Sequence, residues 1–245
     1  MSSLAIIGGS GFSKLSALVV QDAYSVETPY GATSAPVTRG TLNGHEIFFL
    51  PRHGAGHHLP PHLINYRANL WALRKCGAKR VVGLAAAGGI TPRFAPAVLA
   101  IPDQIIDYTH GREHTLYDGT SDGVEHVDVT SPYCEELRGA LLDACTRTKQ
   151  PVVSGGTYGA TQGPRLETAA EIQRCERDGC DLVGMTGMPE ASLARELGLC
   201  YASFAFVVNW AAGKTDGIIT MQNIEDNVAV CAERVMAVLT ELATC

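Results

Sequence analysis

The chain is poor in charge and lacks the patterns that mark several protein classes. Only 18% of its residues are charged, and the formal net charge is -6. No block of Lys and Arg follows a phosphate backbone, since Arg74-Lys75 and Lys79-Arg80 flank a helix end, so a nucleic-acid partner is excluded. No uninterrupted apolar run approaches the roughly 20 residues of a membrane-spanning helix, so none is expected to insert in a membrane. Met1 to Gly8 has no basic n-region and meets glycine before an h-region could form, which argues against a signal peptide and for a cytoplasmic protein. The eight cysteines, at 76, 134, 145, 175, 180, 200, 231 and 245, form no C-x-x-C pair and are expected to be reduced, mostly buried thiols. There is no H-E-x-x-H pair for a catalytic zinc and no G-x-S-x-G elbow for a serine hydrolase.

What is present is an alternation of short apolar runs with amphipathic stretches, without a linker or internal repeat. Strands are expected at 4–7, 46–50, 80–86, 98–105, 152–158, 181–185 and 201–208, and helices at 62–76, 133–147, 167–177, 189–197 and 224–242. Gly77, Gly179 and Gly198 stand where a left-handed residue closes a helix. The expected fold is a single α/β domain over residues 1–245, three-layered, with a central mixed sheet.

Several segments can carry chemistry. Gly8-Gly9-Ser10-Gly11 follows a strand, and its backbone N–H groups with the Ser10 hydroxyl suit a small anion; a plain tight turn is the alternative. A dinucleotide fingerprint fails on spacing, so no nucleotide cofactor is expected. Ala85-Ala86-Ala87-Gly88-Gly89 is a wall of small residues against which a ligand, or simply a packed neighbour, can lie close to the backbone. Arg52-His53-Gly54 puts a guanidinium fork and an imidazole at a strand end, where the fork suits an oxyanion such as phosphate; an unpaired surface arginine is the competing reading. His53, His57, His58 and His62 are dense, but their Gly/Pro-rich setting argues against a metal.

Taken in order, Gly8-Gly9-Ser10-Gly11, Arg52-His53-Gly54, Asn65-Tyr66-Arg67-Ala68-Asn69, Gly163-Pro164-Arg165-Leu166-Glu167-Thr168 and Val183-Gly184-Met185-Thr186-Gly187-Met188-Pro189-Glu190 resemble the trimeric purine nucleoside and 5′-methylthioadenosine phosphorylases, over nearly the whole chain. The resemblance implies a homotrimer that uses inorganic phosphate as co-substrate, with no cofactor and no metal. It assigns phosphate to Ser10, Arg52, His53, Ala86 and Thr186, and the ribose to Met185. It sets Ala87, Gly88, Glu167, Asn209 and Ala211 around the purine. His126, from a neighbouring subunit, is implied near the 5′ end of the sugar, or else is an interface histidine without ligand. One departure is visible: the methylthioadenosine enzymes carry Thr-Ala where this chain has Ala85-Ala86, so a hydroxyl donor to phosphate is missing.

The substrate follows from two further differences. Adenine-specific members of the family place aspartates where this chain has Asn209 and Ala211, and serine where it has Glu167. A carboxylate at 167 can only accept, which matches the N1–H of a 6-oxopurine and not the N1 lone pair of adenine. Its competing duty is to cap its helix from the first turn. The residues 217–221, with Ile218 and Met221, are apolar where inosine-cleaving relatives have a histidine for the 5′-hydroxyl. Asn209, Glu167 and His53 are the expected catalytic groups, and 5′-methylthioinosine is the expected substrate. Inosine or guanosine, or methylthioadenosine in an altered pocket, are the alternatives.

Overall fold

The computed structural model describes residues 3–119 and 123–245. Among the described residues eleven strands are joined in one mixed sheet: β1 (Leu4–Gly8), β2 (Val19–Tyr24), β3 (Val37–Leu42), β4 (His45–Pro51), β5 (Arg80–Gly89), β6 (Leu99–Ile101), β7 (Gln104–Asp107), β8 (Val152–Ser154), β9 (Thr157–Ala160), β10 (Leu182–Gly184) and β11 (Cys200–Trp210). Five α-helices of the described residues flank it: α1 (Tyr66–Lys75), α2 (Glu135–Arg147), α3 (Ala169–Arg177), α4 (Glu190–Glu196) and α5 (Met221–Leu242). Side chains of α2 and α5, among them Leu141, Val235 and Leu239, bury one face with Val82 and Phe204. On the other, Leu70 of α1 and Leu193 of α4 pack with Ile7, Val81 and Tyr201. These are the helix, sheet and helix layers expected of the sequence.

Every expected helix is present, and Gly77, Gly179 and Gly198 close α1, α3 and α4 with φ of 98°, 96° and 65°. The strand reading needs three corrections. The hairpin of β3 and β4 turns on Asn43 and Gly44, at φ 51° and 81°, an Asn-Gly pair that suits a tight two-residue turn; β2 and β3 were not expected. β2 is exposed throughout, so its residues lack the apolar alternation that announces a half-buried strand. The runs at 98–105 and 152–158 are each two strands, broken by Pro102, which has no N–H to donate, and by Gly155 and Gly156 at φ 81° and 107°. The thiol reading needs one: Cys134 and Cys200 are joined in a disulfide. They are 66 residues apart, and it is the backbone bond from Cys134 N–H to Tyr201 C=O that lays the start of α2 beside β11.

The sheet forks at β5. Along one edge it pairs with β11 over its whole length. Along the other, residues 80–83 pair with the parallel β1, while Gly88 and Gly89 pair with the antiparallel β10. Between them, residues 84–87 have no strand on that edge, and the gap opens a cleft. The fork depends on close approach: a Cβ on Gly83 would stand 2.2 Å from the Tyr201 hydroxyl oxygen and 2.7 Å from Glu190 Oε1. Gly83→Ala is expected to cost about 1–3 kcal/mol through overpacking. Gly139→Ala, inside α2 with nothing within 4 Å of the added methyl, is expected to add up to about 1 kcal/mol of stability. Urea midpoints of the two variants against the parent check the opposite signs.

Candidate active site

The cleft encloses about 570 Å³ and is built from strand ends. Ser10 follows β1 and His53 follows β4, two parallel neighbours that finish side by side at Gly8 and Pro51. Ala86, Ala87 and Gly88 supply the wall from the unpaired stretch of β5. Because β10 runs antiparallel, it returns from Gly89 toward the middle of β5 and delivers Met185 and Thr186 opposite that wall. The far end is set by β11, where a bulge between Val207 and Asn209 shifts the register. Asn209, Ala211 and Glu167 also line the cleft. A strand rises about 3.3 Å per residue, so Leu84 and Gly88 are about 13 Å apart along β5, and the cleft has two distinct ends.

The end near Ser10 is lined by neutral donors. Gly9 is needed there, since a Cβ would come 2.6 Å from the Leu84 carbonyl oxygen. His53 is buried, and its Nδ1–H donates to the Leu59 carbonyl at 2.8 Å, which leaves a lone pair on Nε2. Burial, reinforced by the Arg52 charge, pushes its pKa down to about 4. Arg52 is altered from its expected posture. It is 1% exposed, and its fork is closed on Glu190, with Nε donating to Oε2 and Nη2 to Oε1, both at 2.7 Å. Nη1 donates to the Leu84 carbonyl at 2.8 Å, so three of its five N–H groups are committed. Burial disfavours the guanidinium, but the Glu190 carboxylate more than offsets this and holds its pKa above the ordinary value. Arg52 therefore stands behind the anion loop, its Nη1 3.1 Å from where a Cβ on Gly9 would lie, and does not grip the cleft bidentately.

At the other end Glu167 is free of capping duty. Thr168 is the N-cap of α3, and Glu171 closes the box with it. The Arg165 guanidinium and the Thr168 N–H hold the Glu171 carboxyl down at about 2. Glu167 Oε1 accepts from Thr161 Oγ1 at 2.5 Å, which leaves Oε2 for a ligand. Asn209 Nδ2 donates to the Trp210 carbonyl at 2.7 Å and keeps its second N–H.

Met221 and Ile224 of α5 lie at the edge of the cleft, with His57 and His58. Two expected residues are not brought in by the single chain: Ile218 is 88% exposed and does not line the cleft, and His126 is exposed on the surface. Ala85 is buried in the core beside Phe94 and Tyr158. Among the described residues no group of three or more His, Cys, Asp or Glu is arranged to hold a metal, and no helix is long and apolar enough to cross a membrane. The sequence reading gave no role to Glu190, Thr161 or Arg112. Glu190 stood in a quoted motif, but Arg112, in His110-Gly111-Arg112-Glu113, has no local pattern to mark it.

A cleft at a fork of an α/β sheet, lined by neutral donors together with a carboxylate and an amide, has the character of an enzyme site for an elongated polar ligand. The chain belongs to the phosphorylase superfamily, whose model matches residues 3–244. It is 54% identical to a protein of Xanthomonas campestris named as a probable S-methyl-5′-thioinosine phosphorylase, over 98% of this chain and 96% of that one. It is 45% identical to a 6-oxopurine nucleoside phosphorylase of Pyrococcus furiosus, over 91% of this chain and 85% of that one. A methylthioadenosine phosphorylase from Schistosoma mansoni, solved with adenine, superposes with a TM-score of 0.95 at 31% identity, covering all of this chain and 91% of that one.

The buried imidazole has a consequence for stability. In the unfolded chain His53 takes a proton near 6.5, and in the folded protein only near 4, so between these values the unfolded state binds more protons. Stability present above pH 6.5 is therefore lost as pH falls toward 4, by roughly 3 kcal/mol from this group. Urea midpoints across that range should show the slope, and His53→Asn should flatten it.

Proposed function

We propose that the protein cleaves the N-glycosidic bond of a 6-oxopurine nucleoside with inorganic phosphate, and that its substrate is 5′-methylthioinosine, giving hypoxanthine and 5-methylthioribose 1-phosphate. The observation that carries this reading is Glu167. With Oε1 occupied by Thr161, its remaining oxygen can only accept. Hypoxanthine offers N1–H to it, whereas adenine N1 is an acceptor and leaves a partly buried carboxylate facing a lone pair. The free N–H of Asn209 is suited to the O6 and N7 edge of the same base.

Breaking the ribosyl C–N bond develops positive charge on the sugar and negative charge on the purine. Phosphate, held between Ser10, Thr186 and the backbone of the Gly8–Gly11 turn, supplies the attacking oxygen. Its binding next to the sugar removes much of the entropic cost of the encounter. A hydrogen bond from Asn209 to N7 stabilises the departing base. His53, neutral at physiological pH, presents Nε2 as an acceptor for a phosphate O–H or a sugar hydroxyl. No cofactor or metal enters this scheme. For the 5′ substituent, Met221 and Ile224 favour a methylthio group. His57 and His58, at the same cleft, support a second reading in which inosine or guanosine is taken through its 5′-hydroxyl. The proposal includes a cytoplasmic homotrimer. The segment around His126, where Val124 is 64% and Val129 45% exposed, supports this reading as a surface on which a neighbouring subunit would sit.

Base release from methylthioinosine, inosine, guanosine and methylthioadenosine, with and without phosphate, tests the reading; release independent of phosphate would mark a nucleosidase instead. Ser10→Ala and Thr186→Ala should each raise the KM for phosphate several-fold with little change in base preference. Glu167→Ser combined with Asn209→Asp should move the methylthioinosine to methylthioadenosine ratio toward adenine. Each change alone should mainly lower activity, since it matches neither base. A double variant with the parent's ratio would show that these residues do not read the base.

A further inference from the structure

We propose that Arg112 is a positioning residue for phosphorolysis, one guanidinium that locks the base-reading end of the cleft to its sugar and phosphate end; this rests on the function proposed above. Arg112 lies in the connection after β7, is 8% exposed, and does not line the cleft. Its Nη1 donates to the carbonyls of Met185 at 2.9 Å and Met188 at 2.6 Å, and to the Tyr66 hydroxyl at 3.2 Å. Its Nη2 donates to the carbonyls of Gln162 at 2.7 Å and Thr161 at 3.2 Å. Among the described residues no carboxylate lies within ion-pair distance of it. A buried cation without a counter-ion is costly, and here four carbonyl dipoles and the face of the Tyr66 ring, 5.6 Å away, take the place of one.

The carbonyls it gathers belong to two irregular segments that carry ligand-facing residues. Residues 185–188 hold Met185 and Thr186. Residues 161–162 hold Thr161, whose hydroxyl supports Glu167. Neither segment lies in a helix or strand, so hydrogen bonds must set their separation. The planar, rigid fork suits that task, because its nitrogens keep a fixed spacing. Thr161 N–H also donates to the Gly184 carbonyl at 2.8 Å, so the two segments are already joined at one point, and Arg112 adds the bonds that stop them from pivoting there.

Arg112→Lys keeps the charge and loses the fork. It is expected to lower kcat/KM for methylthioinosine by about 10- to 100-fold, as a misplacement of order 1 Å does. It should also raise the KM for phosphate and reduce the methylthioinosine to methylthioadenosine ratio. Thr161→Val removes the hydroxyl that supports Glu167 and its longer 3.3 Å contact with the Gly184 carbonyl, keeps the Thr161 N–H bond to that carbonyl, and should reduce the base ratio while leaving the KM for phosphate near the parent's. Because both changes act on base reading through the placement of Glu167, their effects on the ratio should be less than additive in the double variant. Guanidinium added well below denaturing concentrations should restore part of the turnover of Arg112→Ala. An Arg112→Lys enzyme that melts earlier but keeps the parent's base ratio and KM for phosphate overturns the proposal, as do additive effects in the double variant. Should the parent release no base from any 6-oxopurine nucleoside, the functional reading fails separately. The proposal is then judged on the hypoxanthine to adenine affinity ratio, measured by calorimetry in the parent and both single variants, and an unchanged ratio or absent binding overturns it.

Discussion

The buried ion pair of Arg52 and Glu190 is the constraint on which the rest of the site depends. Both side chains are 1% exposed, and removing two charges from water is expensive unless the remaining donors and acceptors are satisfied. Here the pair is doubly hydrogen-bonded, the Tyr201 hydroxyl donates to Glu190 Oε1 at 2.7 Å, and the Leu84 carbonyl accepts from Arg52. Glu190 also opens α4, where the helix dipole favours a carboxylate. The cluster thereby fixes the end of β4, the middle of β5, the start of α4 and the start of β11 relative to each other. Deleting one partner would leave the other charged and buried, and Gly83 must stay bare beside the pair because a Cβ there would stand 2.7 Å from Glu190 Oε1.

This tie is made where the sheet has no ladder of its own. On the open edge of β5, residue 84 has lost β1 as a neighbour and residue 87 has not yet gained β10. A carbonyl stranded there needs a donor, and Arg52 Nη1 is that donor at Leu84. The same gap that leaves backbone unpaired gives the ligand its place. Small residues follow from it, because a larger side chain at Ala86, Ala87 or Gly88 would fill the opening. The antiparallel β10 then brings Thr186 to the end near Ser10, which no parallel strand in that position could do without a long crossover.

How far the site could be read from the sequence depends on how local its causes are. The anion loop, the small-residue wall, Glu167 and Asn209 each carry a short pattern or an identifiable residue type, and the cleft gathers them. The helices were legible because an apolar stripe and a closing glycine are local signals. The posture of Arg52 was not, since it depends on Glu190, 138 residues away, and a lone Arg-His pair reads the same whether its fork meets a ligand or a buried carboxylate. The disulfide of Cys134 and Cys200 was hidden for the same reason. Exposed β2 has no alternation, and Arg112, bonded to four backbone carbonyls and to the Tyr66 hydroxyl, has no charged partner that sequence could reveal.

The electrostatics of the cleft follow from these placements. No Lys or Arg lines it among the described residues, and His53 is held neutral, so an anion at the Ser10 end meets N–H and O–H dipoles with an ion pair behind them. A dianion bound by neutral donors keeps more of its charge than one clamped by a bare guanidinium. In the proposed reaction that charge would face the sugar carbon as positive charge develops on it, and the attraction would be strongest in the transition state. In this arrangement the buried pair is scaffold and field together: it backs the loop proposed to hold phosphate and sets a neutralised pair, not a bare cation, behind it.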